Sequence, residues 1–346
     1  MNIIGWDVGG ANIKAAWIQD GRQTEPRVLE QPFPLWREPH RLPAVLAGIA
    51  GRLGCADAMA VTMTAELADC FATKREGVAS VLDAFRDAFP ELHPWVFATD
   101  GRFRSPEAAR ARSDLVAAAN WMASAIFVAR LFPDTIFLDV GSTTTDIIPI
   151  VAGCVAARGR SDTARLQTGE LVYTGALRTP VAAVVRWVPL GRRRCRVAAE
   201  LFAVTADVHL WLGHIQERDY TCETPDGRGR SRHESAARIA RTVCADLTMV
   251  SDGDVTAIAN HVARAQVQHI AAAIRQATRR LGSSSPRSAV LAGLGTFLGR
   301  AAAEDAGLAA HALASHLGSD AAHATPAAAV ACLLRDAASC ELLRQR

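Results

Sequence analysis

The stretch "TIFLDVGSTTTDIIPI", Thr135–Ile150, decides the fold. An apolar run ends in one carboxylate, Asp139, then a glycine and a row of hydroxyl residues, and turns apolar again. A core strand avoids an unpaired carboxylate, because burying one without partners is costly. The pattern therefore predicts a hairpin that holds something charged at its tip. A second copy, "NIIGWDVGGANIKAAWI", runs from Asn2 to Ile18. Asp7, Val8 and Gly9 align with Asp139, Val140 and Gly141, a step of 132 residues, about one domain's length of chain. Two related α/β units follow, with boundaries at 1–134 and 135–346, each presenting a small-residue turn after its first strand.

The 346 residues, half of them hydrophobic, suffice for two sizeable cores. With 38 basic and 35 acidic residues the charge is too balanced to imply nucleic-acid or membrane binding. The densest basic run, "GRRRCR" at Gly191–Arg196, reads as a solvated loop or hairpin. The first residues enter a strand pattern, so no signal peptide is expected, and no apolar run reaches the roughly 18 residues that span a bilayer. Eight scattered cysteines form no CxxC pair, which argues against zinc and for reduced thiols in a cytoplasmic protein.

Along the chain, strands alternate with helices, and the two hairpins argue for mixed rather than parallel sheets. Helices are expected at Leu42–Arg52, Glu76–Phe89, most of Ser105–Phe132, Val181–Val185, Ser235–Ala245, His261–Leu281 and Pro326–Leu334. Strands are expected at Ala58–Met63, Trp95–Ala98 and Ser288–Leu291. "DYTCETPDGRGRSRHES" reads as a long polar loop.

Phosphate needs backbone N–H donors, and only small residues let the backbone come close. Gly9, Gly10 and Ala11 provide this in the first turn, with Asn12 and Lys14 just beyond. Gly141, Ser142, Thr143 and Thr144 provide it in the second. If the turns face each other, Asp7 and Asp139 flank one cleft and suit Mg²⁺, which takes one or two carboxylates and completes its shell with water and phosphate. A third glycine turn, "AVLAGLGTFLG", places Gly293 and Gly295 after a late strand. Its spacing is GxGxxxG and no GxxxxGK[ST] is present, so neither a dinucleotide fingerprint nor a Walker loop fits. It reads as a turn closing over the outer part of a phosphate-bearing ligand.

These three turns, in this order, resemble the actin-like ATPase superfamily of sugar kinases, heat-shock chaperones and actin. The resemblance implies two actin-like (ribonuclease H-like) lobes, mixed sheets flanked by helices, and a ligand cleft between them. A closer resemblance is carried by "IGWDVGGANIKAA", "VTMTAELADCFATKREGV", "WVFATDGRF", "AANWMASA", "LDVGSTTTDIIPI", "TGELVYTGALRTPV", "ADVHLWLG" and "YTCETPDGRGRSR". In sequence these are similar to the tetrahydromethanopterin-linked C1-transfer pathway proteins, or hydantoinase A-like family. The likeness spans roughly Ile3 to Ala245 plus the turn near Gly293.

That family implies a transferase of methanofuran-type cofactor biosynthesis. It would join an aminomethylfuran-methyl diphosphate to the phenol of a (γ-glutamyl)tyramine or tyrosine-like acceptor, with Mg²⁺, and release diphosphate. The partners implied are those two small molecules, with homo-oligomerisation left open. A phenol has a pKa of about 10, so it needs a base or a cation. Candidate bases are Glu66, Asp69 and Asp207; Lys74 or Arg178 could stabilise phenolate or diphosphate, and Tyr173 or Trp211 could stack on an aromatic substrate. Each also has a structural reading, as a cap, a surface charge, a loop staple or a core residue. An ATP-dependent small-molecule kinase or a hydantoinase/oxoprolinase-type ATPase is the alternative. The adenine pocket beside Gly293–Gly295 would separate the two. His209, His214, His233, His311, His316 and His323 lack i, i+4 metal spacing and read as solvated or packed imidazoles.

Overall fold

The computed structural model describes residues 1–19 and 25–339. The first sheet is built on β1 (Ile3–Val8), which pairs antiparallel with β2 (Asn12–Ile18), itself antiparallel to β3 (Arg27–Pro32). On its other side β1 pairs parallel with β4 (Ala58–Met63), and β4 with β5 (Trp95–Phe97). Strand β6 (Phe103–Arg104) closes the edge antiparallel, giving the order β3-β2-β1-β4-β5-β6.

The second sheet repeats this plan. Strand β7 (Thr135–Val140) pairs antiparallel with β8 (Thr145–Val151), to which β9 (Cys154–Val155) and β10 (Leu171–Val172) add. A separate hairpin, β11 (Trp187–Leu190) and β12 (Arg193–Arg196), carries the basic run. Strands β13 (Ser288–Ala292) and β14 (Ala309–Ala312) then join β7 in parallel, in the order β10-β8-β7-β13-β14. The step of 132 residues carries β1 onto β7 residue for residue. In both strands every position but the aspartate is buried. Strands covered on both faces read as continuous apolar runs, which is why the sequence displays them so plainly.

Helices Leu42–Leu53 and Lys74–Ala88 cover the first sheet, where Leu46, Ile49, Val81 and Phe85 pack with Trp6 and Val8. Thr73 caps the second of these by accepting from the Glu76 amide at 3.1 Å, and Glu76 accepts from the Ala72 amide. The long helix Asp252–Thr278 puts Ile270 and Ile274 against Ile136, Leu138 and Ile147 of the second sheet. The last helix, Thr325–Ser339, returns to the first sheet. It lies so close to β1 that a Cβ on Gly5 would stand 2.1 Å from the Ala327 carbonyl oxygen. Trp121, Phe137, Ile148, Val330 and Leu334 share one core that joins the two sheets.

Some elements differ from expectation. Ser105–Phe132 breaks into Pro106–Ala111, Ser113–Val116 and Asn120–Leu131. The helix expected from His261 starts at Asp252, behind a Ser251/Asp254 capping box. Strand β3 is a polar edge with little apolar signal, so periodicity did not find it. Among the described residues no helix is long and apolar enough to cross a membrane.

Candidate active site

Both hairpin turns close in the same way. The Gly9 amide donates to the Asn12 carbonyl at 3.0 Å, and the Gly141 amide to the Thr144 carbonyl at 2.9 Å. The next amides, of Gly10 and Ala11 and of Ser142 and Thr143, have no hydrogen-bond partner among the described residues. All four residues line one cleft of about 770 Å³, with Gly9, Asn12, Gly141, Thr144 and Gly293. Donor amides held open by tight turns form an anion seat.

Asp7 and Asp139, near the ends of β1 and β7, both line this cleft. Burial pushes the Asp7 carboxyl up to about 6; Lys14 pulls it down, and Asp146, Glu30 and Glu66 push it up. Burial likewise pushes Asp139 up to about 7, with repulsion from Asp146 and Asp7 outweighing the help of Lys14 and His323. Asp7 Oδ1 is buried with no hydrogen-bond partner. A buried carboxylate oxygen without a partner, on a residue that lines a cleft of donor amides, fits a hard cation. No cluster of three or more His, Cys, Asp or Glu stands ready to hold a metal among the described residues. The donor set therefore suits an ion completed by water and phosphate rather than an all-protein cage.

Lys14 sits opposite Asp7 in the hairpin, and its Nζ donates to the His323 carbonyl at 2.8 Å. Asp146 sits opposite Asp139 and is paired with Arg165, whose buried guanidinium lies 4.4 Å from the Trp121 ring centre. Burial pushes Asp146 up, against the pull of Arg165. Glu30 meets His323 at 3.0 Å. Burial works to raise Glu30, yet His323 and Lys14 hold it below the usual range.

Glu66 is 1% exposed, lines the cleft and leaves Oε2 without a partner. Burial pushes it up to about 7, against Lys74, whose Nζ lies 3.5 Å from Oε1. Lys74 also reaches Asp162 of the second lobe at 3.2 Å, so it bridges two carboxylates and is not itself a lining residue. Asp69, Tyr173 and Arg178 line the cleft, Tyr173 being 64% exposed. Arg178 stacks on Trp36 of the first lobe at 5.2 Å, and next to it Arg37 pairs with Glu223.

Asp207, Trp211 and Gly295, expected at the site, do not line the cleft. Asp207 is fully buried away from the cleft, where it accepts from Arg238 Nε at 2.7 Å, Tyr220 OH at 3.1 Å, Ser235 Oγ at 3.1 Å and the Val204 amide at 3.1 Å. Four donors converge on Asp207, and burial still raises its carboxyl above the usual range. Trp211 is likewise a core residue, its indole donating to Thr256. Gly295 faces the Val140 side chain, 2.4 Å from where its Cβ would stand, so it is a packing glycine. Gly293 does line the cleft. Its φ of +82° is a glycine conformation, and a Cβ there would stand 2.4 Å from Asp139 Oδ1.

Glu30, Trp36, Asn120, Asp146, Arg165 and His323 line the cleft without having been singled out as site residues. Only Asp146 carried a usable signal: the 132-residue step places it where Lys14 stands in the first copy. His323, expected to be a solvated or packed imidazole because it lacks i, i+4 metal spacing, lines the cleft, and its carbonyl accepts from Lys14, 309 residues away.

The hydantoinase/oxoprolinase family profile matches residues 57–336. The chain belongs to that family. A curated relative from Methanocaldococcus jannaschii is 36% identical over 334 residues, 96% of this chain and 97% of its own. It is named (4-{4-[2-(gamma-L-glutamylamino)ethyl]phenoxymethyl}furan-2-yl)methanamine synthase. A second, from Methanococcus vannielii and of the same name, is 37% identical over 160 residues, 46% of this chain and 70% of its own. Among solved structures, nucleotide-free acetone carboxylase aligns with 88% of this chain and 67% of its own at a TM-score of 0.53 and 12% identity. That shows the fold alone, and with the repeated strand order it makes the two lobes actin-like.

Proposed function

We propose that this protein joins an aminomethylfuran-methyl diphosphate to the phenol of a (γ-glutamyl)tyramine or tyrosine-like acceptor, forming an aryl ether and releasing diphosphate. The observation that carries the reading is the pair of equivalent turns, with unengaged amides at Gly10, Ala11, Ser142 and Thr143, flanking Asp7 and Asp139 in one cleft. The end-to-end similarity to the synthase of M. jannaschii supports the choice of substrates.

In this reading the turn amides and Lys14 receive the diphosphate charge as it grows. Asp7 and Asp139 would hold Mg²⁺, which would supply further neutralisation of the leaving group. The bond from the furan methylene carbon to the diphosphate oxygen breaks, and its electron pair leaves with diphosphate. The phenol oxygen bonds to that carbon, and its proton passes to a carboxylate. Glu66 suits this task, since burial holds it at about 7 and its Oε2 is unengaged. Tyr173 and Trp36 offer the aromatic ring a surface.

The test supplies the furan diphosphate, the phenol and Mg²⁺, and resolves products by mass. Aryl ether and diphosphate should appear in equal amounts without ATP. In a parallel arm with ATP, Mg²⁺ and the phenol, ADP formed in step with a phosphorylated phenol would overturn the reading in favour of a kinase.

A further inference from the structure

Behind the second phosphate turn runs a line of polar side chains that the proposed reaction does not use; Thr174, His209 and Gln266 are buried, and His214 at its outer end is exposed. Gln266, fully buried on the helix Asp252–Thr278, donates from Nε2 to Thr174 Oγ1 at 2.8 Å and to the Gly175 carbonyl at 3.1 Å. Both amide hydrogens are thereby placed, so Oε1 can only accept. It lies 2.9 Å from His209 Nε2, which must carry the hydrogen. In a neutral ring His209 Nδ1 is then an acceptor, and its neighbour at 3.1 Å, His214 Nδ1, must be the donor. Burial first, and the neighbouring His214 second, push His209 down to about 3, which agrees with a neutral ring. The Phe297 ring covers both imidazoles, with ring centres 4.8 and 5.0 Å apart.

Every bond in this line points the same way, from His214 through His209 and Gln266 to Thr174 and Gly175. Gly175 lies against the turn itself. A Cβ there would stand 2.6 Å from the Ser142 carbonyl carbon and the Thr143 nitrogen. The next three amides, of Ala176, Leu177 and Arg178, donate to the Gly141 and Ser142 carbonyls at 2.9–3.0 Å. The direction of the Ser142 and Thr143 amides therefore depends on where segment 174–178 is held.

We propose that Gln266, oriented by His209 and His214, is the positioning residue that fixes the second phosphate turn. This rests on the reading of Gly141–Thr144 as a diphosphate seat. Gln266 touches no ligand; it acts through Gly175. Replacing Gln266 by Glu keeps the shape and the acceptor towards His209 but removes both donors; Gln266→Leu removes all three bonds.

The test measures two quantities: amide hydrogen exchange at Ala176–Arg178, and binding of inorganic diphosphate with Mg²⁺ by calorimetry. Both variants should exchange at least tenfold faster at those amides and bind diphosphate about tenfold more weakly, the loss usual when a supporting partner of a ligand site is removed. Val255→Ala, in the buried face of the same helix, is the control that lowers stability without changing either quantity. Nitrogen-detected NMR of the wild type should find His209 neutral with its proton on Nε2 from pH 5 to 8. If Gln266→Leu does not fold, Gln266→Glu and His214→Ala carry the same measurements. Unchanged exchange, faster exchange with undiminished diphosphate affinity, or a proton on His209 Nδ1 would each overturn the proposal. If the wild type itself binds no diphosphate, the seat reading fails, and exchange with the tautomer decides the positioning role.

Discussion

Lys14 and Asp146 occupy the same place in the two hairpins, one facing Asp7 and the other facing Asp139. The duplicated fold thus holds opposite charges at equivalent positions. Lys14 draws Asp7 and Asp139 towards ionisation, while Asp146 opposes it in both. Asp146 is in turn committed to Arg165, so Lys14 is the hairpin cation that faces the proposed phosphate seat. Lys14→Met should weaken inorganic diphosphate binding by about tenfold, a loss within the range of one charge-assisted hydrogen bond. Titration calorimetry decides this, and an unchanged affinity would show that Lys14 serves only to hold the His323 carbonyl.

Asp7→Asn and Asp139→Asn should each lower Mg²⁺-dependent turnover by at least a hundredfold, because each removes a charge that can hold the ion beside the leaving group. Neither should unfold the protein. Both carboxyls are raised in the folded state, so their contribution to stability is full below pH 4 and is lost as pH rises through about 6 and 7. In metal-free buffer at pH 8 the amides should therefore melt no lower than the wild type. Near-normal turnover in both variants, measured beside their melting curves, would place the metal elsewhere.

Glu66 allows a cleaner test of the same linkage. Its carboxyl moves from 4.5 to about 7 on folding, mainly by burial. Below pH 4.5 it is neutral in both states. As pH rises to 7 the unfolded chain ionises first, so stability falls by on the order of 3 kcal/mol and then levels off. Glu66→Gln should flatten that fall, which urea titrations at pH 5 and pH 8.5 would reveal. Lys74 keeps Asp162 as a partner, so the variant should stay folded. An identical fall in the variant would mean that Glu66 is ionised throughout.

The parts legible in the sequence were those that recur or that burial forces into a pattern. Asp7 and Asp139 stood out because each interrupts an apolar strand before a glycine, and the chain does so twice. Their neighbours in the cleft did not. Glu30 lies on a polar edge strand, and His323 meets it only because the last helix folds back over Gly5. Trp36 and Arg178 belong to loops of different lobes, and no local period links them. Asp207 looked like an active-site acid for the opposite reason. A carboxylate among apolar residues signals either a site or a satisfied internal charge, and only the positions of Tyr220, Ser235 and Arg238 tell them apart.

Asp207 and Arg238 form an ion pair in which both side chains are fully buried. Removing one member of such a pair leaves the other charge uncompensated, which costs about 3–5 kcal/mol. Asp207→Ala should lose up to that much in denaturant titration, with Arg238 keeping Asp226 and the Gly229 carbonyl at 3.1 Å and Ser235 Oγ at 3.3 Å. Asp207→Asn retains an acceptor and should lose less. The double variant Asp207→Leu/Arg238→Met removes both charges and should recover part of the loss. A catalytic base would behave in the opposite way: Asp207→Asn would fold as well as the wild type and fail only in turnover. The outcome separates an anchor from an acid by whether stability or rate moves, and four donors converging on one buried carboxylate predict that stability moves.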